Sequence, residues 1–262
     1  MSVSTRKRWD KFYPDNNPFE VAQEFTKRVR ALCKDDSSGA VHKVKYLWLY
    51  VSETGLNDSS GQVASFSKED WLGVIDETAA QGVEHVIISM GAPLTEHHEV
   101  VDICKWAQDC YDILVGIHIY RAPLTQEGAV MLQALDKDKT ALFIDPDCAE
   151  CEEIAKVSGI RIFSGLGQDQ ETVHPECHLP EEMTCVAANG SMYTCGLVLG
   201  ENEFAFGHYY DRKLDEVMSD DLLPHTIPEG TPKKGQMCNG CPPLMLKRMR
   251  NGHADPDEGG CH

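Results

Sequence analysis

The sequence predicts an α/β protein, a partial (β/α) barrel followed by a small cysteine-rich domain with a β-hairpin. From residue 44 to about residue 165, short apolar runs alternate with amphipathic stretches of helical spacing, the pattern of successive βαβ units around a parallel sheet. Beyond this point the alternation stops, and prolines, glycines and cysteines become frequent. The chain has 11 cysteines, an odd number that favours metal, redox or catalytic use over a pure disulfide framework.

Composition excludes several classes of partner. The net charge of −18 argues against nucleic acid and against an anionic membrane surface. No run of apolar residues is long enough for a transmembrane helix, and the basic N-terminus lacks the apolar stretch of a secretory signal. We therefore expect a cytoplasmic protein.

The first two-thirds of the chain divides into strands and helices with recognisable limits. Five buried strands are predicted at 44–51, 83–90, 113–119, 140–144 and 160–163, with no evident sixth. Helices are predicted from the capping-box sequence Ser67 to Asp70 as far as Gln81, and at 96–111, 125–135 and 148–157. The predicted domains are a helical segment at 1–43, the partial barrel at 44–170 and the cysteine-rich domain at 171–262. An open doubly wound sheet is the competing architecture.

Four cysteines in the last third form the clearest chemical pattern. Cys185 and Cys195 flank Asn189-Gly190, the strongest short hairpin signal, so their thiols are expected to approach each other across the ladder. Cys238 and Cys241 form a C-x2-C pair. Four thiolates suit one iron–sulfur cluster or one tetrahedral zinc ion, and the residues alone leave both open.

This part of the chain resembles the SPASM/twitch extension of radical-SAM enzymes, which holds auxiliary [4Fe–4S] clusters. The matching segments are 190–195, 204–207 leading into 214–217, and the C-x2-C pair. The resemblance implies one [4Fe–4S] cluster on Cys185, Cys195, Cys238 and Cys241. Only one cluster is implied because residues 244–251 contain none of the family's further cysteines.

The preceding region resembles the radical-SAM barrel, but its chemistry is altered. In that family a C-x3-C-x2-C motif after the first strand holds the cluster that binds S-adenosylmethionine; the matching positions here are Gly55, Ser59 and Gln62. The family's Gly-Gly-Glu-Pro after the second strand is here Gly91-Ala92-Pro93 preceded by Met90, without the carboxylate. The resemblance therefore implies a degenerate member without S-adenosylmethionine cleavage.

Several other residues are further candidates for a site. A second group of cysteines is a candidate for metal binding or redox exchange: Cys148, Cys151, Cys177 and Cys261. The remaining polar and aromatic candidates are more typical of ordinary turns, strand rims and packing than of a functional site: His97, His98, His118, Asp145, Asp147, His208, Tyr209 and Tyr210.

Three functions follow as expectations. The first is an iron–sulfur protein that has lost S-adenosylmethionine cleavage and acts as an electron-transfer, scaffold or accessory subunit of a redox or maturation complex. The second is an enzyme that uses the barrel mouth together with the C-terminal cluster. The third is a zinc-stabilised binding module. The sequence leaves open whether the protein is an enzyme.

Overall fold

The computed structural model describes residues 44–51, 66–119, 123–144, 149–164, 182–200 and 204–218. These residues form the strands β1 (Tyr46–Tyr50), β2 (His85–Met90), β3 (Leu114–Ile119), β4 (Thr140–Ile144), β5 (Arg161–Ser164), β6 (Met183–Ala187), β7 (Ser191–Tyr193) and β8 (Ala205–His208). The helices are α1 (Lys68–Ala80), α2 (Glu99–Tyr111), α3 (Gln126–Leu132), α4 (Ala149–Ala155) and α5 (Leu214–Met218). The strands and helices predicted between residues 44 and 164 are therefore present, with limits shifted by a few residues.

All the described strands belong to one sheet, in the order β5-β4-β3-β2-β1-β6-β7-β8. The strands from β5 to β6 in this order run parallel, whereas β7 and β8 are antiparallel additions. The sheet of described residues is open, with β5 at one edge and β8 at the other.

Our expectation of five barrel strands without a sixth was wrong. β6, the first strand of the predicted hairpin, pairs with β1 over the whole range Met183–Ala187 and supplies a sixth parallel strand. Every residue of β6 is buried, as expected for a strand covered on both faces. The hairpin is therefore continuous with the parallel sheet. The predicted domain boundary between residues 170 and 171 lies outside the described residues, as does the N-terminal segment 1–43.

Side chains alternate between the two faces of the sheet and form two apolar cores. One face packs against the helices, and this larger core includes Leu47, Leu49, Ile88, Val115, Ile117 and Leu142 from the strands with Trp71, Ile75, Ile103 and Leu132 from the helices. The opposite face, which we call the second face, carries a smaller cluster that contains Trp48, Ile87, Phe143, Cys185 and Tyr193. The chain after β7 packs on this face, because Cys195, Val198 and Phe204 belong to the same cluster.

The limits of the helices follow from local chemistry. The predicted capping box is present at α1: Ser67 Oγ accepts a hydrogen bond from Asp70 N, and the Asp70 side chain accepts one from Ser67 N. α2 begins at Glu99 rather than near residue 96, because Leu94–Glu96 forms a separate 3-10 turn. It ends where Asp112 adopts a left-handed conformation with φ of 58°.

The chain after β8 is fastened to α1. Tyr209 OH donates a hydrogen bond to Glu77 Oε2 at 3.0 Å, and Tyr210 OH donates one to Asp70 Oδ1 at 2.9 Å. Both tyrosines also pack against the ring of Phe66. Among the described residues there is no helix with the length and apolar character needed to cross a bilayer.

Candidate functional site

The β6–β7 hairpin positions the two described cysteines of the predicted cluster site. Its turn is closed by a hydrogen bond from Gly190 N to Ala187 O at 2.8 Å, and Ser191 N donates to Asn189 Oδ1 at 2.9 Å. Gly190 has φ of 84°, which glycine adopts without steric cost, and a Cβ there would lie 2.6 Å from the His208 ring. The predicted Asn-Gly hairpin is confirmed, with Ala188, Asn189 and Gly190 between the two strands.

Cys185 and Cys195 lie on the second face, in one buried cluster. Cys185 is 0% exposed and Cys195 is 3% exposed, and both are present as thiols. Cys185 is aligned with Trp48 of β1 on one side and with Tyr193 of β7 on the other. Its thiol therefore has aromatic neighbours on both adjoining strands and no access to bulk water.

Burial and the second thiol both act on the ionisation of Cys185. Burial raises the pKa of the Cys185 thiol well above its ordinary value, because a thiolate would lose its hydration there. The neighbouring Cys195 raises this pKa further, by repulsion between two negative charges. Such a thiol is inert as a nucleophile, and a bound metal ion is the ordinary means of stabilising two adjacent thiolates.

Trp48 forms the wall of the site next to both cysteines. It is the register partner of Cys185, and Gly196, directly after Cys195, packs against its indole. A Cβ at Gly196 would lie 2.3 Å from Trp48 Cδ2 and 2.4 Å from Cε2, so space alone requires glycine at this position.

A chain of hydrogen bonds continues from Trp48 towards the carboxyl ends of β2 and β3. Trp48 Nε1–H donates to Ser89 Oγ at 2.7 Å, and Ser89 Oγ lies 3.0 Å from Nδ1 of His118. All three side chains are buried. The sequence favours a hydrogen-bonded core or rim position for His118, and the structure shows the core position, with a hydrogen-bond partner. Trp48 and Ser89 were missed, since only the register between strands brings them beside His118.

The other predicted ligands of the cluster lie outside the described residues. These are Cys238 and Cys241. Also outside the described residues are Gly55, Ser59 and Gln62, which stand in place of the family's cysteines in the altered S-adenosylmethionine loop. Within the described ranges, no group of three or more His, Cys, Asp or Glu side chains is arranged to hold a metal ion. The described residues thus bring together two of the four predicted thiolate ligands.

Cys151 is the one described member of the second group of cysteines. It is disulfide-bonded, and its partner is none of the other four described cysteines. Its Sγ accepts a hydrogen bond from Leu124 N at 3.4 Å. A sulfur atom in a disulfide is not a thiolate ligand, and the metal or redox role of this group, with Cys148, Cys177 and Cys261 outside the described residues, stays a prediction.

The remaining candidates are engaged in local structure. His97 Nδ1 lies 3.2 Å from Glu99 Oε1, and His98 is exposed before α2. His208 Nε2–H donates to Asn189 O at 2.7 Å, while Tyr210 N donates to His208 Nδ1, so this imidazole braces the hairpin turn. Asp145 and Asp147 lie outside the described residues.

Comparison with known proteins gives a distant structural likeness only. No protein-family model matches the chain, and no curated protein sequence matches it. The structure of Streptococcus suis SuiB bound to S-adenosylmethionine aligns at 15% identity over 79% of this chain and 70% of that chain, with a TM-score of 0.45. SuiB bound to the precursor peptide SuiA aligns at 14% identity over 80% of this chain and 71% of that chain, with a TM-score of 0.46. A likeness at this level assigns neither a family nor an activity to the chain.

Proposed function

We propose that this chain is an iron–sulfur protein in which Cys185, Cys195, Cys238 and Cys241 hold one [4Fe–4S] cluster. The observation that carries the proposal is the placement of Cys185 and Cys195. The two thiols are brought together by strand β6, the Asn189-Gly190 turn and the chain after β7. They are buried beside aromatic side chains and have no contact with bulk water.

The described half of the site fits such a group. Both donors are soft sulfur atoms, which iron–sulfur clusters and zinc select. The Thr194 hydroxyl, directly before Cys195 in the chain, is buried and has no hydrogen-bond partner among the described residues. Buried hydroxyls are normally paired, so this donor is compatible with a group bound beside Cys195. The C-x2-C pair of Cys238 and Cys241 is proposed to supply the other two ligands.

Each part of the chain has a defined task in this proposal. A bound cluster supplies one-electron transfer, and its potential depends on solvent exposure and on nearby hydrogen-bond donors. The hairpin orients Cys185 and Cys195, while Trp48 and Tyr193 exclude water from them. With Gly55, Ser59 and Gln62 in place of cysteines, we propose that S-adenosylmethionine is not cleaved and that the protein acts as an electron-transfer, scaffold or accessory subunit with a protein partner.

Metal analysis of anaerobically purified protein tests the cluster. We expect a brown protein with about four iron and four sulfide ions per chain. Cys185→Ser and Cys241→Ser keep the side-chain size but provide a poor iron ligand, so both variants are expected to lose most of the iron. Cys110→Ser, at an exposed cysteine of α2, is the matched control and should load normally.

The outcomes separate the alternatives. A colourless protein with one zinc ion per chain, lost on Cys185→Ser, would replace the cluster by a structural zinc site and favour a binding module. Iron that survives in both Cys185→Ser and Cys241→Ser would place the cluster elsewhere and overturn the proposed ligand set.

A second assay addresses catalysis. We expect no 5′-deoxyadenosine when the reduced, cluster-loaded protein is incubated with S-adenosylmethionine. Formation of 5′-deoxyadenosine with turnover would show an active radical site and would contradict the proposed loss of this chemistry.

A further inference from the structure

Trp48 contacts both cysteine-bearing segments of the proposed cluster site. Pairing of β1 with β6 aligns Trp48 with Cys185, and the close packing of Gly196 brings the backbone next to Cys195 onto the same indole. Trp48, Cys185 and Cys195 are also members of one buried cluster on the second face. A single ring thus lies against two segments that are separated by the hairpin turn.

Ser89 and His118, on the neighbouring strands β2 and β3, fix the orientation of this ring through hydrogen bonds. An indole N–H can only donate, so Ser89 Oγ is the acceptor in the 2.7 Å contact with Trp48 Nε1. Ser89 Oγ is also 3.0 Å from His118 Nδ1, which ties strand β3 into the same chain. The rings of Trp48 and His118 meet edge to face, with centroids 6.2 Å apart and planes at 72°.

Such a chain holds one orientation of Trp48 in an otherwise apolar cluster. A buried N–H without an acceptor costs free energy, because it has lost its hydrogen bonds to water and gained none in the protein. Rotation of the indole away from Ser89 is therefore disfavoured. The polar chain is separate from the sulfur ligands themselves. Its effect on them is exerted through the ring, which limits the space of the Cys195–Gly196 backbone and covers the region beside Cys185.

We propose that Trp48, held by Ser89 and His118, is a positioning residue of the metal–thiolate centre that fixes the Cys195 segment and keeps water from the sulfur atoms. This inference rests on the proposed function. According to this proposal, Trp48, Ser89 and His118 are not ligands, but they determine the rate of metal loss and the reduction potential of the cluster.

The experiment compares Trp48→Phe and Ser89→Ala with the wild-type protein, all purified anaerobically. Trp48→Phe keeps an aromatic ring but removes the N–H and part of the ring, and Ser89→Ala removes only the acceptor. The matched control is Trp106→Phe, which removes an indole N–H that donates to Asp76 Oδ1 at 2.7 Å on the helical side of the sheet. Metal content, the rate of metal transfer to a chelator, the reduction potential and near-ultraviolet circular dichroism are measured for each protein.

We expect both variants to load metal and to release it to the chelator several-fold faster than wild type, while Trp106→Phe releases it at the wild-type rate. Admission of water stabilises the more negative reduced cluster, so the potential should rise in Trp48→Phe and Ser89→Ala. His118→Asn, which keeps a side-chain nitrogen near the position of Nδ1, should lie closer to wild type than Ser89→Ala.

Each result bears on a separate claim. If the wild-type protein binds no metal, the proposed function fails and the role of Trp48 falls with it. If the wild-type protein loads a cluster and both variants match Trp106→Phe in release rate and potential, the cluster stands and the positioning role is overturned. Should Trp48→Phe fail to fold, Ser89→Ala alone decides, because loss of one hydroxyl with unchanged folding and an unchanged release rate contradicts the proposal.

Discussion

Gly196 is a residue whose identity depends on one neighbour. Its φ is not in the left-handed region, so the backbone would accept other amino acids, but the Trp48 ring occupies the space where a Cβ would stand. Gly128 of α3 is different, because the nearest atom to its Cβ position is Leu124 Cδ1 at 3.3 Å, the end of a flexible side chain.

We expect Gly196→Ala to destabilise the protein by about 1–3 kcal/mol, the usual cost of overpacking a close contact. The free energy of unfolding in urea measures the effect. Gly128→Ala is the control, and its gain in helix propensity should leave stability unchanged or slightly increased. Equal stability of Gly196→Ala and wild type would mean that the Trp48 contact is looser than the structure shows.

Asp76 is a carboxylate placed where charge is unfavourable. Trp106 Nε1 and Tyr111 OH donate to its Oδ1 at 2.7 Å and 2.6 Å, and the group links α1 to α2. Burial raises the pKa of Asp76 above its ordinary value of 3.8, although the two hydrogen bonds oppose the change. The folded protein therefore binds a proton at Asp76 more readily than the unfolded chain does.

Asp76→Asn tests the sign of this coupling. A raised pKa contributes stability that is complete below pH 3.8 and is lost as the pH rises through the higher folded value. Asparagine does not titrate, so the stability of Asp76→Asn relative to wild type should increase across this window and then level off. Urea unfolding between about pH 4 and pH 7 measures the trend. Asp109→Asn, at an exposed position, is the control. If its stability changed with pH in the same way, the pH dependence would not arise from Asp76.

At the scale of the element, α1 shows how local chemistry defines a helix. The Ser67–Asp70 capping box satisfies backbone groups at its start, whereas α2 begins after His98, which makes no side-chain capping bond. Asp70 has a second task, because its Oδ1 also accepts from Tyr210 OH. A residue needed to start the helix thus also fastens a later part of the chain.

Ser67→Ala should cost about 1 kcal/mol of stability, since Asp70 N loses its acceptor. His98→Ala, at a helix start without a side-chain cap, should change stability by less than about 0.5 kcal/mol. Thermal unfolding of the two variants side by side provides the measurement. Indistinguishable melting temperatures would show that the capping box contributes little to this fold.

At the scale of the molecule, Glu77 connects the helical layer to the end of the described chain. Its carboxylate is buried and accepts from Tyr209 OH at 3.0 Å and from Leu214 N at 3.4 Å. These contacts span more than half of the sequence, from α1 to the start of α5. Together with the packing of Tyr209 and Tyr210 against the ring of Phe66, these contacts hold the β7–β8 edge of the sheet against the helices.

Glu77→Ala should destabilise the protein by roughly 2 kcal/mol, because two donors lose their shared acceptor. Hydrogen exchange should accelerate most in residues 205–217 and little in β2 and β3. Glu153→Ala, which breaks an exposed contact with Lys156, is the control and should have almost no effect. Uniform acceleration over the whole sheet would mean that the segment does not open as a separate unit.

The sequence alone determined the order and type of the elements between residues 44 and 164, together with the capping box and the Asn189-Gly190 hairpin. These features depend on periodicity and on turn chemistry within a few residues of each other. It also indicated that Cys185 and Cys195 would approach, although not how: Cys185 pairs with Tyr193, and Cys195 follows the end of β7 in the same buried cluster. That these cysteines hold a metal, and that Cys238 and Cys241 contribute to the same site, remain predictions.

Only the tertiary structure decided that β6 is the sixth parallel strand and that Trp48 lies against both cysteine segments. The hydrogen-bond chain from Trp48 through Ser89 to His118 could not be predicted either, although the strand that contains each residue was predicted. The physical reason is that strand register is a relation between distant segments. Which side chains meet across a sheet is set by the burial and pairing of whole strands, and short-range sequence patterns carry no record of it.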